Sequence, residues 1–341
     1  MDLRSKEALV SGATGFIGGR LVSRLVDEVF KVRALVRNPA KAESLISSGV
    51  TIVPGDVTNL ESIRRAIGEC RVIFHCAALM HDGNATVDEF RRVNVEGTRN
   101  MLEAASAVGV DRFVHLSSIG VYGISPAKGT KETDPYQPCG LSYCDTKIEA
   151  EQVALKYHLE RGVPVVIVRP TNVYGPRSSF WTVGLLTMIR SGKLKLIDGG
   201  RGMSNHVYVD NLVDAILLAA KNDAAVGEAF IIGDGAKTPW KDFLGRYARL
   251  VGQESLPSIS KTRAQLLGFM MELASRWTGI PPSLTRAIVG FWTQTGTFDI
   301  TKARTVLGYQ PRVSLDEGMR LTEEWLREAG YLSNESGRAT P

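Results

Sequence analysis

The chain alternates short apolar runs with longer amphipathic stretches. Ala8-Leu9-Val10 opens the pattern, and residues 20–29 follow with apolar positions spaced by threes and fours. Further β-branched runs stand at 32–36, 50–53, 72–76, 113–116 and 163–168, and residues 87–108 and 142–161 carry helical periodicity. Strand, helix, strand in this order predicts parallel βαβ units, hence an α/β fold: a doubly wound parallel (Rossmann) sheet with helices on both faces.

The pattern loosens after Pro170. Gly175, Pro176 and Gly199-Gly200-Arg201-Gly202 mark turns. Runs at 207–209 and 229–232 predict two more strands. Between them lies a helix over 211–221, which Asp210 is placed to cap through its carboxylate. From Lys261 onward the pattern is mostly helical. The expected division is a first domain over 1–170, with 206–233 contributing strands and a helix, and a smaller, mostly helical substrate lobe within 171–341. The polar end, 333–341, is expected to fray.

Composition is ordinary for a globular protein, with 44 % apolar and 23 % charged residues among 341. The net charge of +5 comes from bases spread along the chain, with no basic stripe and no interleaved aromatics, so nucleic acid is not an expected partner. Met1 to Glu7 are charged and polar, unlike a secretory signal, and no run of about 18 apolar residues offers a membrane span. Cys70, Cys76, Cys139 and Cys144 form no CxxC, and the histidines form no HExxH, so no metal site is expected. Reduced thiols and a cytoplasmic location are the expectation.

Between the first strand and first helix lies Gly12-Ala13-Thr14-Gly15-Phe16-Ile17-Gly18. One glycine makes the turn, one lets backbone approach a pyrophosphate, and one lets helix and strand pack closely. The amides of Phe16 and Ile17 would point at the anion with the helix dipole. The end of the second strand selects the dinucleotide. An acid about 20 residues after the glycines accepts from the ribose hydroxyls in NAD binders. Here Leu35-Val36-Arg37-Asn38 has no acid, and Arg37 can clamp a 2′-phosphate, which points to NADP with NAD left open. Asp56-Val57 and Cys76-Ala77-Ala78 end the third and fourth strands on the same edge, where the small residues leave room for the cofactor.

Tyr143 and Lys147 stand four apart on one face of the helix 142–161. A lysine there would lower the tyrosine pKa, so Tyr143 could exchange a proton with a substrate oxygen. Ser118 ends the fifth strand and could hydrogen-bond the same oxygen.

The ordered pieces GATGFIGG, GDV, HCAA, VNVEGT, LSSIGVYG, YCDTK, RPTNVYGPR, HVYVDNLVDA and LGYQP resemble the extended short-chain dehydrogenase/reductase family from about Ala8 to about Arg327. The resemblance implies Ser118, Tyr143 and Lys147 as catalytic residues, with Lys147 also holding the nicotinamide ribose. It implies Asn94 in a helix flanking the site, and Pro170 and Val173 lining the nicotinamide. It also implies a homodimer paired through 87–108 and 142–161.

Two branches of that family stay open. In nucleotide-sugar epimerases and dehydratases an arginine just before the YVD strand grips the diphosphate; here Ser204 stands at that position, and Arg201 could replace it only if the turn were shifted. The apolar stretches 266–274 and 287–292 and the tail LGYQPRVSLDEGM look similar to the 3β-hydroxysteroid dehydrogenase-like branch. That branch implies hydride transfer to or from an apolar small-molecule substrate, with delivery from a membrane surface as one hypothesis. A non-catalytic NADP-sensing regulator is a third reading, against which the Tyr143 and Lys147 pair speaks.

Overall fold

Seven of the apolar runs lie side by side in one parallel sheet. The computed structural model describes residues 7–42, 45, 49–80, 85–280 and 282–333, so the expected fraying of 333–341 falls almost wholly outside the described residues. Its strands are β1 (Glu7–Ser11), β2 (Lys31–Val36), β3 (Thr51–Pro54), β4 (Val72–His75), β5 (Arg112–Leu116), β6 (Val165–Pro170), β7 (Asn172–Tyr174), β8 (Leu196–Ile197), β9 (His206–Tyr208), β10 (Ala229–Ile232) and β11 (Ser258–Ile259). The α-helices are α1 (Phe16–Asp27), α2 (Leu60–Ile67), α3 (Val87–Arg91), α4 (Gly97–Val108), α5 (Ser142–Arg161), α6 (Leu185–Arg190), α7 (Val209–Lys221), α8 (Trp240–Leu250), α9 (Lys261–Thr278), α10 (Arg286–Thr293), α11 (Thr301–Leu307) and α12 (Leu315–Glu328).

The main sheet runs β10-β6-β5-β4-β1-β2-β3, and each neighbouring pair is parallel. Strand order reverses between β1 and β4, which opens a crevice at their carboxyl ends. Alternate strand residues feed two cores. Val10, Phe74, Val114 and Val168 pack with α1 and α7 on one face. Leu9, Ile73, Phe113 and Ile167 pack with α2, α4 and α5 on the other. Burial on both faces is why these strands read as continuous apolar runs.

Two local expectations are corrected, and one predicted strand finds its place outside the main sheet. The helix predicted over 87–108 is interrupted by a π turn, Arg92–Glu96, between α3 and α4. The strand near 207–209 is β9, which pairs with β7 in a separate two-stranded sheet. Asp210 lies inside α7, whose N-cap is Tyr208, so it does not cap the helix. Its carboxylate accepts from both Nε and Nη2 of Arg20, 190 residues away, an ion pair that outcompetes a local cap.

The two apolar stretches of the C-terminal region part company. Phe291 and Trp292 on α10 join an aromatic cluster in which the Trp292 and Trp240 rings are 4.4 Å apart. The stretch 266–274 forms the middle of α9, where Gly268 is buried and most of the large apolar side chains are exposed. Among the described residues no helix is long and apolar enough to cross a membrane.

Candidate active site

Strand ends gather the predicted residues on one edge of the sheet. Gly12 follows β1 in the left-handed region at φ +72°, which only glycine adopts without strain. A Cβ there would stand 2.8 Å from the backbone nitrogen of Ala77. A Cβ on Gly18 would lie 2.2 Å from the carbonyl oxygen of Gly12, so the third glycine lets α1 press against the turn. Gly15 is the N-cap of α1, and no side chain caps the helix. The first-turn amides of Phe16 and Ile17 thus have no intrahelical acceptor, and the cradle fits a pyrophosphate.

Arg37 follows β2 and is exposed. The Asp56 carboxylate turns into its own loop and accepts from the Thr58 amide at 2.8 Å and the Thr58 hydroxyl at 2.9 Å. Val57 is buried, and its carbonyl accepts from Asn100 Nδ2 at 3.0 Å. Ala77 and Ala78 leave β4 beside Gly12. Pro170, buried at the end of β6, and Val173, buried in β7, lie along the same edge.

A hydrogen-bond chain that sequence reasoning missed ties these loops together. The Ala77 amide donates to Ser11 Oγ at 3.3 Å, and Ser11 Oγ meets His75 Nδ1 at 2.7 Å. His75 Nε2 meets Thr98 Oγ1 at 3.0 Å, and Thr98 Oγ1 donates to the Asn94 carbonyl at 2.6 Å. With its own proton committed to Asn94, Thr98 must accept from His75, which fixes a neutral imidazole protonated at Nε2. Burial agrees, lowering the His75 pKa to about 3. Asn94 sits in the π turn, and its amide clasps Leu79 from both sides: it accepts from the Leu79 amide at 2.7 Å and donates to the Leu79 carbonyl at 3.0 Å. It also donates to Thr146 Oγ1 on α5 at 3.0 Å. The asparagine thereby holds the loop after β4 against the helix that carries Tyr143.

Ser118, Tyr143 and Lys147 converge. Ser118 Oγ accepts from the Gly120 amide at 3.0 Å, and its hydrogen bond to Tyr143 favours the phenolate. Burial acts more strongly and pushes the phenol up to about 12. The expected lowering by Lys147 is absent, because the ammonium donates to the Leu116 carbonyl at 2.7 Å and stands 6.0 Å from the Tyr143 ring centroid. Burial lowers Lys147 itself to about 8, with Glu151 opposing.

One turn beyond Lys147, the fully buried Glu151 receives Nε and Nη2 of Arg169. It also accepts from Ser117 Oγ and, at 2.9 Å, from the Tyr136 hydroxyl. Arg169 donates onward to the Tyr122 hydroxyl at 2.5 Å. The pair joins β6, α5 and the loop after Ser118. A readable sign existed: arginine inside the otherwise apolar Val165–Pro170 needs a buried partner.

Ser204 is buried, with its hydroxyl bonded to His206 Nδ1 at 2.9 Å and to the Thr238 carbonyl at 3.0 Å. Arg201, exposed, pairs with Asp198 at 3.0 Å. Neither supplies a cation to the site.

Known proteins resemble the chain over most of its length. Residues 8–233 match the family described as NAD dependent epimerase/dehydratase. A 3beta-hydroxysteroid-dehydrogenase/decarboxylase (isoform 1) of Arabidopsis thaliana is 32 % identical, over 92 % of this chain and 78 % of its own. A 4-hydroxy-2-methyl-3-oxo-4-farnesyl-3,4-dihydroquinoline-1-oxide ketoreductase of Stigmatella aurantiaca is 30 % identical, over 94 % of this chain and 96 % of its own. A dTDP-glucose 4,6-dehydratase from Streptomyces venezuelae, solved with NAD bound, is 26 % identical with a TM-score of 0.78, over 96 % of this chain and 99 % of its own.

Proposed function

The chain belongs to the NAD dependent epimerase/dehydratase family of extended short-chain dehydrogenases/reductases, and from that premise we propose that it catalyses net, reversible hydride transfer between NADP(H) and a secondary alcohol or ketone on an apolar substrate. The observation that carries the reading is the convergence of Ser118, Tyr143 and Lys147 beside the glycine cradle at one sheet edge. The substrate class rests on Ser204 and Arg201, which leave the diphosphate-gripping position without a cation. The two curated relatives agree, since their names place them on a hydroxysteroid and on a farnesyl-bearing ketone.

When bound, the reduced cofactor supplies the hydride. Gly12, Gly15, Phe16, Ile17 and Gly18 would hold its pyrophosphate, with Asp56, Val57, Ala77 and Ala78 along the adenosine half and Pro170 and Val173 at the nicotinamide. Arg37 would clamp the 2′-phosphate. Lys147 would turn from Leu116 to the nicotinamide ribose. In the reducing direction the carbonyl carbon gains the hydride, and its oxygen gains the Tyr143 proton. A phenol pushed to about 12 keeps that proton at neutral pH, which suits a donor. Ser118 orients the same oxygen. In the reverse direction the phenolate takes the proton back. The reading includes a homodimer paired through 87–108 and 142–161, and a cytoplasmic location.

A nucleotide-sugar epimerase or dehydratase is the second reading, favoured by the likeness to the dTDP-glucose dehydratase. A screen of NADPH oxidation against ketones of increasing apolar size, with nucleotide sugars alongside, separates the two. The proposal expects oxidation that improves with apolar size and none with the sugars. Conversion of a nucleotide sugar without net change at the nicotinamide band would overturn it.

A further inference from the structure

Helix α9 is held to the molecule by a narrow stripe. Ala264 and Gly268 are its buried residues, and a Cβ on Gly268 would lie 3.0 Å from the backbone carbon of Thr285, just before α10. Leu266, Met270, Leu273 and Trp277 recur at helical spacing on the opposite side, a third to half a turn from the buried pair. They are 61, 57, 46 and 86 % exposed. Surfaces of soluble proteins scatter single apolar residues, and a continuous stripe of large ones calls for a partner.

Charge decides which partner. Lys261, Arg263 and Arg276 are exposed on α9. Glu272 is its one acidic residue, and its carboxylate is occupied by Arg286, accepting from the backbone amide at 2.8 Å and from Nε at 2.9 Å. The outer face therefore offers apolar side chains flanked by Arg263 and Arg276, with Lys261 at the first position of the helix and Trp277 near its end. That combination is characteristic of helices lying in the headgroup region of anionic bilayers. A second copy of the same face would bring bases against bases with no acid to meet them.

We propose that α9 docks the protein on an anionic phospholipid surface. It lies in the membrane plane, with Leu266, Met270, Leu273 and Trp277 in the acyl boundary and Lys261, Arg263 and Arg276 among the phosphates. Helix α10, on which α9 packs, reaches toward the loop after Ser118. A Cβ on Gly290, in α10, would be 3.7 Å from Ile124, which follows the Ser118 loop. Docking stands on the α9 surface alone and not on the hydride-transfer reading.

Co-sedimentation of the full chain with vesicles tests it, using equal parts phosphatidylglycerol and phosphatidylcholine against phosphatidylcholine alone. The chain is expected to pellet with the mixed vesicles, less with the neutral ones, and less as salt rises. L266E/M270E, at exposed positions, is expected to lower partitioning about tenfold or more, with thermal unfolding unchanged. Trp277→Ala provides a milder variant with the same expected direction. Failure to pellet with either vesicle overturns the proposal, as does pelleting that both variants leave intact. A lipid-free dimer by light scattering that L266E/M270E makes monomeric would assign the face to a second copy and overturn it equally.

Discussion

The ammonium of Lys147 donates to the main-chain carbonyl of Leu116 at 2.7 Å, inside the protein and one turn along α5 from Tyr143. The contact anchors a buried cation at the carboxyl end of β5, immediately before Ser117 and Ser118. Burial has already drawn its pKa down to about 8, so the charge survives at neutral pH with little margin. Lys147→Met is expected to lower kcat by about 100-fold or more. Steady-state kinetics checks this, and a change confined to KM would reduce Lys147 to a binding residue.

Arg37 has no carboxylate partner among the described residues and lies exposed where β2 ends. Arg37→Asp is expected to raise KM for NADPH by about tenfold or more through loss of a charge-assisted clamp, with little change for NADH. Parallel titrations with the two cofactors check it. Equal effects on both would remove the assignment to NADP.

Arg169 and Glu151 pair where neither can reach water. Arg169→Met strands the carboxylate and is expected to cost about 3–5 kcal/mol in urea unfolding. Pairing it with Glu151→Leu should recover much of that loss, because the orphaned charge is gone. A double variant as unstable as the single would show that packing rather than charge is at stake.

The central sheet and its edge were legible because two-sided burial turns strands into apolar runs. The glycine turn spans one strand-to-helix junction and the Tyr143 to Lys147 spacing lies within one helix, so local reading found them. What it missed depends on distance along the chain. Asp210 reads as a cap until Arg20 arrives from 190 residues away. The π turn around Asn94 leaves no mark in periodicity, since one widened turn shifts the pattern by a single residue. His75 and Arg169 were visible as polar residues inside apolar strands, but their partners were not. The exposed stripe on α9 has the same composition as a core stripe, and only its packing distinguishes the two.

Three buried histidines give stability a pH signature. Burial lowers His75 to about 3, His206 to about 4, and His115 well below its ordinary value. Below the ordinary histidine pKa of 6.5 the unfolded chain takes up these three protons and the folded one does not, so stability falls with pH. Asp234 opposes: burial raises it to about 7, so the folded chain holds a proton that the unfolded one releases. Between pH 6 and 5 the net difference, three histidine protons less one on Asp234, approaches two. These groups alone then remove on the order of 2 kcal/mol per pH unit. Urea unfolding across that range checks the slope, and His115→Phe should flatten it by about one proton's share. Stability that rose on acidification would contradict the account.

The central claim is that Tyr143 protonates the oxygen of a ketone that receives a hydride from the cofactor. Its most direct test supplies NADPH deuterated at the transferring position, with an apolar ketone, to the wild-type chain and to Tyr143→Phe. The account predicts an alcohol carrying one deuterium on its new carbinol carbon from the wild type. Tyr143→Phe should bind NADPH undiminished but lose at least about a thousandfold in rate. Turnover that survives the substitution, or a product free of deuterium, would contradict it.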